Sequence, residues 1–284
     1  MNDLINSTRA ELLRLRKWPA VWVTVGAWAG LSLMFGYLFN YVAYKTGDNS
    51  FSNEGVTQAQ LLSELVPTAI PDVLVQGMPM FGGALAMVLG AIVAGNGYGW
   101  GTWKTLFTQG PSRTSSVAGS IIALSVVVVG VVVMTLVLLT GVSVLITATE
   151  SQPMDLPSAT AVLESAGGGL LVLEMWALMG YAVGTLARGP ALAVGLGLVW
   201  LLVVENLLRG VGELLGPVET LTHVLPGTAG GSLVGALIDV GSNPDPAPGV
   251  VDVISGDQAL LTVLVYAVVL PVAVVLMMRR RDVA

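Results

Sequence analysis

The chain has 284 residues, of which 54% are hydrophobic and 11% are charged, and its mean hydropathy is +0.81. A soluble domain of this size cannot bury so much apolar surface, so the composition predicts an all-α integral membrane protein. The chain contains no cysteine and a single histidine, His223, which excludes disulfides, thiolate metal sites and histidine metal clusters within one chain. The net charge of −6 is unfavourable for binding nucleic acid.

Residues 1–18 are the first predicted element, an amphipathic helix that lies in the inner membrane interface. Its apolar positions recur at helical spacing and are Leu4, Thr8, Leu12 and Leu15, with Ile5 beside them. Its cations, among them Arg9, Arg16 and Lys17, are expected to face anionic lipid headgroups. Thr8-x-x-Glu11 matches a capping box. An ordinary basic topology anchor is an alternative that is compatible with this interpretation.

Six segments are long and apolar enough to cross a bilayer: 19–41, 74–95, 117–148, 167–187, 190–208 and 259–278. The first is too long for the apolar core of a cleaved signal peptide, and no small-residue cleavage site precedes polar sequence. The third would measure about 48 Å as a helix, so it must tilt or project from the membrane. Only Arg188-Gly189-Pro190 separates the fourth from the fifth, which predicts a tight antiparallel turn. A merged span is the alternative, and Gly-Pro disfavours it.

The charged residues are sorted by side. Ten of the twelve Lys and Arg residues fall on one side of the six spans, and only Lys45 and Arg209 fall on the other. By the positive-inside rule, both termini are cytoplasmic. Fourteen of the eighteen acids fall outside, where they solvate loops or, alternatively, attract cations. The expected cytoplasmic markers are Lys104 and Arg113, and the expected external markers are Asp245 and Asp252.

The cytoplasmic loop 96–116 is longer than a simple turn requires. Its central stretch, residues 100–109, can form two helical turns along the membrane edge, with Lys104 facing solvent. Gly110-Pro111 would end this helix, and Ser112 can cap the third span. A short amphipathic helix here suits insertion into a groove on a soluble partner, with aromatic anchors. A membrane-anchored loop without a partner is the alternative. The expected apolar side of the helix consists of Trp103, Leu106 and Phe107.

The region 209–258 is the long external connection before the last span. It mixes apolar runs with breaks near Gly216-Pro217 and Pro226-Gly227, which predicts two short helices that enter the outer leaflet and return as a re-entrant hairpin. The stretch 241–249 is expected to be a rigid polar loop. His223 is interpreted as an interfacial structural residue, since no second donor cluster accompanies it.

Three further features concern the membrane interior. Glu174 is the one acid well within a span and is a candidate for the substrate path, although it could also reach outward to water or bind a hydroxyl. Glu205 and Arg209 are spaced to pair with each other at the outer end of the fifth span. Two motifs permit close helix packing: Gly26-x-x-x-Gly30 and Gly180-x-x-x-Gly184.

The stretch "YGWGTWKTLFTQGPSR", residues 98–113, resembles the inner-loop segment of the permease subunits of type-2 ABC exporters. The family pattern is roughly Glu-Tyr-x-x-Gly-Thr-x-(Arg/Lys)-x-Leu-(Leu/Phe)-x-x-x-(Val/Pro)-Ser-Arg. The chain has Gly97 where the family often has Glu, and Ser120 where it often has a basic residue. The basic N-terminal helix and six spans with a long external connection also fit. The matching positions are Tyr98, Gly101, Thr102, Lys104, Leu106, Phe107, Ser112 and Arg113.

This resemblance implies a complex of two permease chains, identical or paralogous, with two P-loop ATPase subunits that bind ATP and Mg²⁺. It implies that the loop is a coupling helix, that residues 1–18 are an interfacial elbow helix, and that the 209–258 hairpin is an external gate. It also implies that the first and fifth spans meet across the permease dimer, where Gly26 and Gly30 would pack. The implied location is a bacterial plasma membrane. The implied docking residues are Trp100, Trp103, Lys104, Leu106, Phe107 and Arg113.

The chain itself contains no Gly-x-x-x-x-Gly-Lys-(Ser/Thr) motif, so ATP hydrolysis is expected on a separate polypeptide, with no cofactor on this chain. The sequence therefore predicts the membrane subunit of an exporter for an amphipathic drug, lipid or peptide. One alternative is a secondary transporter, which would normally have several midplane polar groups or paired broken helices. The other is a scaffold or sensor without an ATPase partner, which would need no aromatic coupling loop.

Overall fold

The computed structural model describes residues 2–47, 57–212, 214–240 and 247–280. Within these ranges the chain is helical and forms no strand. The α-helices are α1 (Asn2–Lys17), α2 (Pro19–Leu33), α3 (Phe39–Thr46), α4 (Gln58–Ser63), α5 (Ile70–Gln76), α6 (Gly83–Gly99), α7 (Thr102–Gln109), α8 (Arg113–Thr149), α9 (Ala159–Ala187), α10 (Pro190–Val199), α11 (Glu205–Gly212), α12 (Gly216–Thr222), α13 (Pro226–Leu237) and α14 (Gly256–Arg280). Short connecting elements are a 3₁₀ turn, Pro67–Ala69, and three π-helical segments, Met34–Leu38, Met78–Gly82 and Trp200–Val204.

Six continuous helical runs in the described ranges are long and apolar enough to cross a membrane, as in a multi-pass membrane protein. They are Pro19–Thr46, Met78–Gly99, Arg113–Thr149, Ala159–Ala187, Pro190–Gly212 and Gly256–Arg280. The six predicted segments are thereby confirmed as helices. The fourth run begins at Ala159 rather than at 167 because Ser158 caps it, its side chain accepting a hydrogen bond from the Ala161 amide at 3.1 Å.

The fourth and fifth runs are separate helices, so the merged alternative is wrong. Arg188 ends α9 in the left-handed conformation with φ 55°, and Gly189 is extended before Pro190 begins α10. Helix α9 runs parallel to α6, since Gly180 lies beside Met87 and Gly184 lies beside Ala91. Helix α10 runs antiparallel to α6, since Pro190 lies beside Gly95 and Gly197 lies beside Met87.

The ends of the six membrane-spanning runs lie at two opposite ends of the molecule. At one end, the Trp18 and Trp100 rings lie 5.8 Å apart, and the Tyr98 hydroxyl lies 3.0 Å from the sulfur of Met278. We call this the basic end, and the other the acidic end. The described cations at the basic end are Arg9, Arg14, Arg16, Lys17, Lys104, Arg113, Arg188, Arg279 and Arg280. Lys45 and Arg209 lie toward the acidic end, whereas Arg281, Asp282 and Asp245 fall outside the described residues.

The α6–α9 pair is the centre of the packed core. Gly90 of α6 faces the backbone of α9 so closely that an added Cβ would lie 2.8 Å from the Tyr181 nitrogen. Gly184 makes the reciprocal approach, with an added Cβ 2.7 Å from the Ala91 carbonyl oxygen. The Gly180-x-x-x-Gly184 prediction is therefore confirmed: small residues on both helices allow backbone contact. On the same helix, fully buried Trp176 lies beside Gly83 of α6, and fully buried Met175 lies beside Gly230 of α13.

Helix α8 contacts a different element at each of several levels along its length. Nearest the basic end, the Ser120 hydroxyl donates to Glu11 at 3.0 Å. Further along, Thr135 accepts a hydrogen bond from Trp28 Nε1 at 2.9 Å, and Ser143 donates to the Leu65 carbonyl at 2.8 Å. At the acidic end, Glu150 at its C-cap accepts a hydrogen bond from Lys45 at 2.7 Å. A further contact joins Ser125 of α8 to Glu174 of α9. Helix α8 thus makes polar contacts with other parts of the fold at five positions along its length.

The two short helices predicted in 209–258 are present as α12 and α13. They begin at Gly216 and Pro226, the positions of the predicted breaks. Nearly all of α13 is buried, against α14, α9 and the π-helical segment Met78–Gly82. The chain then returns along α13, where the Ser232 hydroxyl oxygen accepts from the amides of Val253 and Ile254 at 3.3 and 3.4 Å. Part of the predicted polar loop, 241–246, lies outside the described residues.

Candidate functional site

Helix α1 packs against the basic end of α8. Gly119 makes this possible, because an added Cβ would lie 2.8 Å from Ser7 Cβ and 2.9 Å from the Thr8 amide nitrogen. The predicted capping box is wrong: Thr8 is inside the helix, and its hydroxyl donates to the Leu4 carbonyl at 2.9 Å. The apolar stripe faces the protein, with Leu15 fully buried. The opposite surface exposes Ile5, Leu13, Arg9, Arg16 and Lys17.

A polar group on α1 connects this helix to two spans. Glu11 forms an ion pair with Arg14 and accepts the Ser120 hydroxyl. The guanidinium of Arg14 also donates to the Val93 carbonyl of α6 at 3.4 Å and lies 5.3 Å from the centre of the Trp18 ring. Helix α1 is thus tied to α6 and α8 by charge-assisted contacts, which hold it in one position.

Helix α7 lies within residues 100–109, where the sequence predicted a helix in the loop. Gly101, at φ 66°, precedes it, and Gly110, in an extended conformation, follows it. The predicted cap of the third span is confirmed, since Ser112 accepts from the Ser115 amide at 3.2 Å. Gly101 is needed at the start because only glycine adopts the left-handed conformation freely. Lys104 is exposed, as the sequence predicted.

Trp103 corrects the expectation that this side chain seats the loop in a partner. It is only 7% exposed and donates through Nε1 to the Ala94 carbonyl at 3.2 Å. Gly97 makes room for it, because a Cβ there would lie 2.5 Å from Trp103 Cδ1. The indole therefore occupies the space that a side chain at position 97 would need. Trp103 therefore anchors α7 to its own chain.

The remaining predicted docking residues differ in exposure. Phe107 is half-buried, stacks on Trp103 with ring centres 5.5 Å apart, and lies 5.4 Å below the guanidinium of Arg113. Leu106 is also half-buried against the core. Trp100 is 63% exposed beside Trp18. The outward face of α7 is consequently polar and consists of Lys104, Thr105 and Thr108, with Trp100 preceding it.

A groove of about 550 Å³ lies between α1, α7 and the start of α8. Asp3, Asn6, Glu11 and Arg14 line it from α1, and Ser116 and Ser120 line it from α8. Trp103 and Leu106 form its apolar wall. The sequence did not predict this groove, because its three walls come from segments whose relative placement depends on the close approach at Gly119. The groove and the polar face of α7 together form the candidate site at the basic end.

Gly26 and Gly30 face open space: an added Cβ at either position would meet nothing within 4 Å. The same surface of the first span exposes Trp22, Val23 and Met34, which lie three or four residues from Gly26 or Gly30. The opposite face of α2 is packed, with Trp28 buried. The predicted packing motif is thus unoccupied within this chain.

Glu174 lies in the middle of α9, where Ser125 of α8 donates its hydroxyl to Oε1. Oε2 is buried and has no hydrogen-bond partner. The hydroxyl alternative considered from the sequence is therefore confirmed for one of its two oxygens. The described ion pairs are Glu11–Arg14 and Lys45–Glu150, so no described cation neutralises Glu174.

Glu205 corrects a second expectation, since it does not pair with Arg209. Its side chain is fully buried, and its carboxylate accepts from Trp200 Nε1 and from the Gly227 amide, each at 2.6 Å. Arg209 instead donates to Asn206 Oδ1 at 2.6 Å. Glu205 thus caps the N-terminus of α13, where the helix dipole favours a negative group. The Pro226-Gly227 pair that starts α13 was a visible signal, but the partner acid was not.

The acidic end contains a cluster around Glu150. Tyr41 donates to this carboxylate at 2.9 Å and Tyr44 at 3.4 Å, beside the hydrogen bond from Lys45. The Lys45 hydrogen bond lowers the pKa of Glu150, and the tyrosine hydroxyls act in the same direction. Burial raises the pKa of two other acids near this end, Glu64 and Asp72.

No known protein-family model matches the chain, and no curated protein resembles it in sequence. Among the described residues, no group of three or more His, Asp or Glu side chains could hold a metal ion. His223 is half-buried at the C-terminal end of α12.

Proposed function

We propose that the chain is the membrane-spanning subunit of an ATP-driven exporter of the type-2 ABC kind, with ATP and Mg²⁺ bound by a separate P-loop ATPase. The observation that supports this most directly is α7. It is a short helix between two span ends, anchored inward by Trp103, with a polar outward face beside a groove. A connecting loop needs no such anchor, whereas a helix that must transmit force does.

The docking surface in this proposal is the outward face of α7 together with the groove against α1. Lys104 supplies a charge that orients the partner, and Trp100 supplies an exposed aromatic group. The Arg113 guanidinium lies over the Phe107 ring, and this contact helps to hold α7 against its own chain. The proposal therefore assigns Trp103, Leu106 and Phe107 to holding α7 in place, and assigns partner contact to Trp100, Lys104, Thr105 and Thr108.

The pair α12–α13 is proposed as the external gate. Helix α13 has twelve residues and a length of about 18 Å, which is too short to cross a hydrocarbon core of about 30 Å. Since α13 is buried among the long helices, it is proposed to enter the outer leaflet and return. Two copies of the chain, or a copy and a paralogue, are proposed to meet through the open Gly26–Gly30 face of the first span and the fifth span.

Site-specific photo-crosslinking tests the ATPase partnership. A benzophenone amino acid replaces Thr105, which is exposed on α7 at the basic end. The matched control replaces Thr160, which is exposed at the start of α9, at the acidic end. We expect position 105, and not 160, to capture a protein with a Gly-x-x-x-x-Gly-Lys-(Ser/Thr) motif, with a yield that changes when ATP is added. If correctly inserted protein captures no P-loop protein from position 105, the exporter proposal fails.

The proposed topology has its own test. The chain has no cysteine, so Thr105→Cys and Asp252→Cys each introduce a single thiol at an exposed position. With the basic end cytoplasmic, an impermeant maleimide should label position 252 in intact cells and position 105 only after permeabilisation. The opposite pattern would invert the orientation and place α7 out of reach of any ATPase.

A further inference from the structure

Among the described residues, the Glu174–Ser125 pair lacks one hydrogen-bond partner. An ionised carboxylate at this position lacks a donor for Oε2, and a neutral carboxyl lacks an acceptor for a proton on that oxygen. Buried charges in proteins are paired or neutralised, because an unpaired charge in an apolar medium is strongly destabilising. Among the described residues, Glu174 has one hydroxyl partner and no counter-cation, so its second oxygen is open to a partner from outside these residues.

The helix faces next to this pair are open and apolar. Gly167 and Leu163 lie seven and eleven residues before Glu174, on the same face of α9. Leu163 is 71% exposed, and a Cβ added to Gly167 would meet nothing within 4 Å. On α8, Val129 and Val133 follow Ser125 by four and eight residues and are also exposed. We call these four residues, Leu163, Gly167, Val129 and Val133, the α8–α9 strip.

The strip extends in one direction from the carboxylate. Helix α8 runs from the basic end to the acidic end, and α9 runs the opposite way, so Val133 and Leu163 both lie on the acidic-end side of the Glu174–Ser125 pair. The surface is therefore a row of apolar groups that ends at a carboxyl and a hydroxyl. Glu174 is partly exposed, and the broad energy minimum of its last side-chain torsion allows the carboxyl group to turn and bring the unpaired oxygen toward the exposed side of the residue.

We propose that Glu174 and Ser125 bind the charged head of an amphipathic organic cation whose apolar body lies along the α8–α9 strip. The cation supplies the counter-charge that the chain lacks, and its body covers apolar surface at the same time. An apolar anion of the same shape would meet a like charge, and a neutral one would leave Oε2 unpaired. As an assignment of substrate class, this rests on the proposed exporter function; as a binding site, it stands on the isolated chain.

Equilibrium binding to the purified chain in lipid nanodiscs, without any ATPase, tests the site. The probes are tetraphenylphosphonium, a permanent cation, and tetraphenylborate, an anion of nearly the same shape. We expect the cation to bind wild type, and the anion to bind at least about tenfold more weakly, a difference of about 1.4 kcal/mol. Binding is taken after subtraction of the partitioning of each probe into protein-free nanodiscs of the same lipid, since the dipole potential of the bilayer acts oppositely on the two ions. Equal protein-dependent binding of the two probes would overturn the proposal.

Four variants locate the site. Glu174→Gln should weaken cation binding by about tenfold or more, and Ser125→Ala by about threefold. Gly167→Leu fills the strip without touching the charge, at a position with open space, and should also weaken binding. The matched control Glu164→Gln changes an exposed acid on the same helix and should bind like wild type. Wild-type affinity in Glu174→Gln overturns the proposal; should that variant fail to fold, wild-type affinity in Gly167→Leu overturns it equally.

The outcome is separable from that of the proposed function. Cation binding that depends on Glu174 supports the site even where Thr105 captures no ATPase, since no partner is present in the measurement. Capture of an ATPase with no cation binding leaves the exporter proposal standing and removes this substrate class.

Discussion

Two glycine pairs with the same spacing have opposite surroundings in this molecule. Gly180 and Gly184 of α9 lie directly on the backbone of α6, whereas Gly26 and Gly30 of α2 face nothing within 4 Å. The difference comes from the opposing helix: α6 presents Gly90 at the crossing, so small residues meet small residues. The spacing makes close approach possible, and the partner surface decides whether it happens. Among the described residues of the chain, the second pair has no such partner.

The largest effect is expected from filling the packed crossing. Gly90→Leu would place a side chain against the backbone of Ala177 and Tyr181, which cannot move aside as a side-chain tip can. We expect the protein to lose its folded state or to unfold at a much lower temperature, followed by the fluorescence of its seven tryptophans. The control Gly130→Leu introduces the same group into open space on α8 and should unfold like wild type.

The two faces of α2 should respond to truncation in the same unequal way. Trp28→Ala removes a buried indole and its hydrogen bond to Thr135, and should lower the free energy of unfolding by about 3–5 kcal/mol. Trp22→Ala removes an exposed indole from the opposite face and should cost much less. Denaturant titration in detergent compares the two. Equal losses would mean that Trp22 is buried by an association already present in the preparation.

The open pair should matter for association and not for the fold. A Cβ added at Gly26 or Gly30 meets no described atom within 4 Å, so Gly26→Leu with Gly30→Leu should leave the unfolding temperature close to that of wild type. If a second copy packs there, the bulky side chains should shift the protein from dimer to monomer, measured by light scattering in nanodiscs. A dimer that survives the double substitution would place the interface on another surface.

A smaller effect is expected from charge, where Glu150 is paired and Glu174 is not. Hydrogen bonding to Lys45 lowers the pKa of Glu150 below its ordinary value of 4.5. Its contribution to stability is therefore present above about pH 4.5 and is lost as the pH falls through the lowered pKa. Glu150→Gln should lower the unfolding temperature slightly near neutral pH, and the difference should shrink in acid. A difference that grows in acid would mean that burial outweighs the pairing.

The long helices could be predicted from sequence because a bilayer span needs a run of apolar residues, which is a local property. Ser112 and the breaks at Gly216 and Pro226 were likewise visible, since caps and helix breakers act on their immediate neighbours. Which face of a helix turns inward was less accessible. Trp103 fits an exposed anchor equally well by spacing, and its burial depends on the space that Gly97 leaves six residues earlier in the chain.

The contacts between distant segments could not be predicted. Glu205 and Arg209 have ideal spacing for an ion pair, but the acid binds Gly227 on a different helix because α13 brings an unpaired amide into reach. The Glu174–Ser125 contact depends on how α8 and α9 are aligned, and that alignment follows from every level at which α8 contacts the fold. Such alignments are properties of the assembled helices, whereas a local sequence pattern describes only one of them at a time.

The length of α8 has a mechanical consequence. Its 37 residues form a helix of about 55 Å, and at its basic end only Gly110-Pro111-Ser112 separates it from α7. A tilt of about 5° around the middle of such a helix moves each end by about 2.4 Å in opposite directions. A displacement of α7 by that amount would therefore displace Glu150, at the far end of α8, by the same amount. The contacts between these two ends would be displaced in proportion to their distance from the middle of α8. Trp28, on Thr135 near the midpoint, would scarcely move.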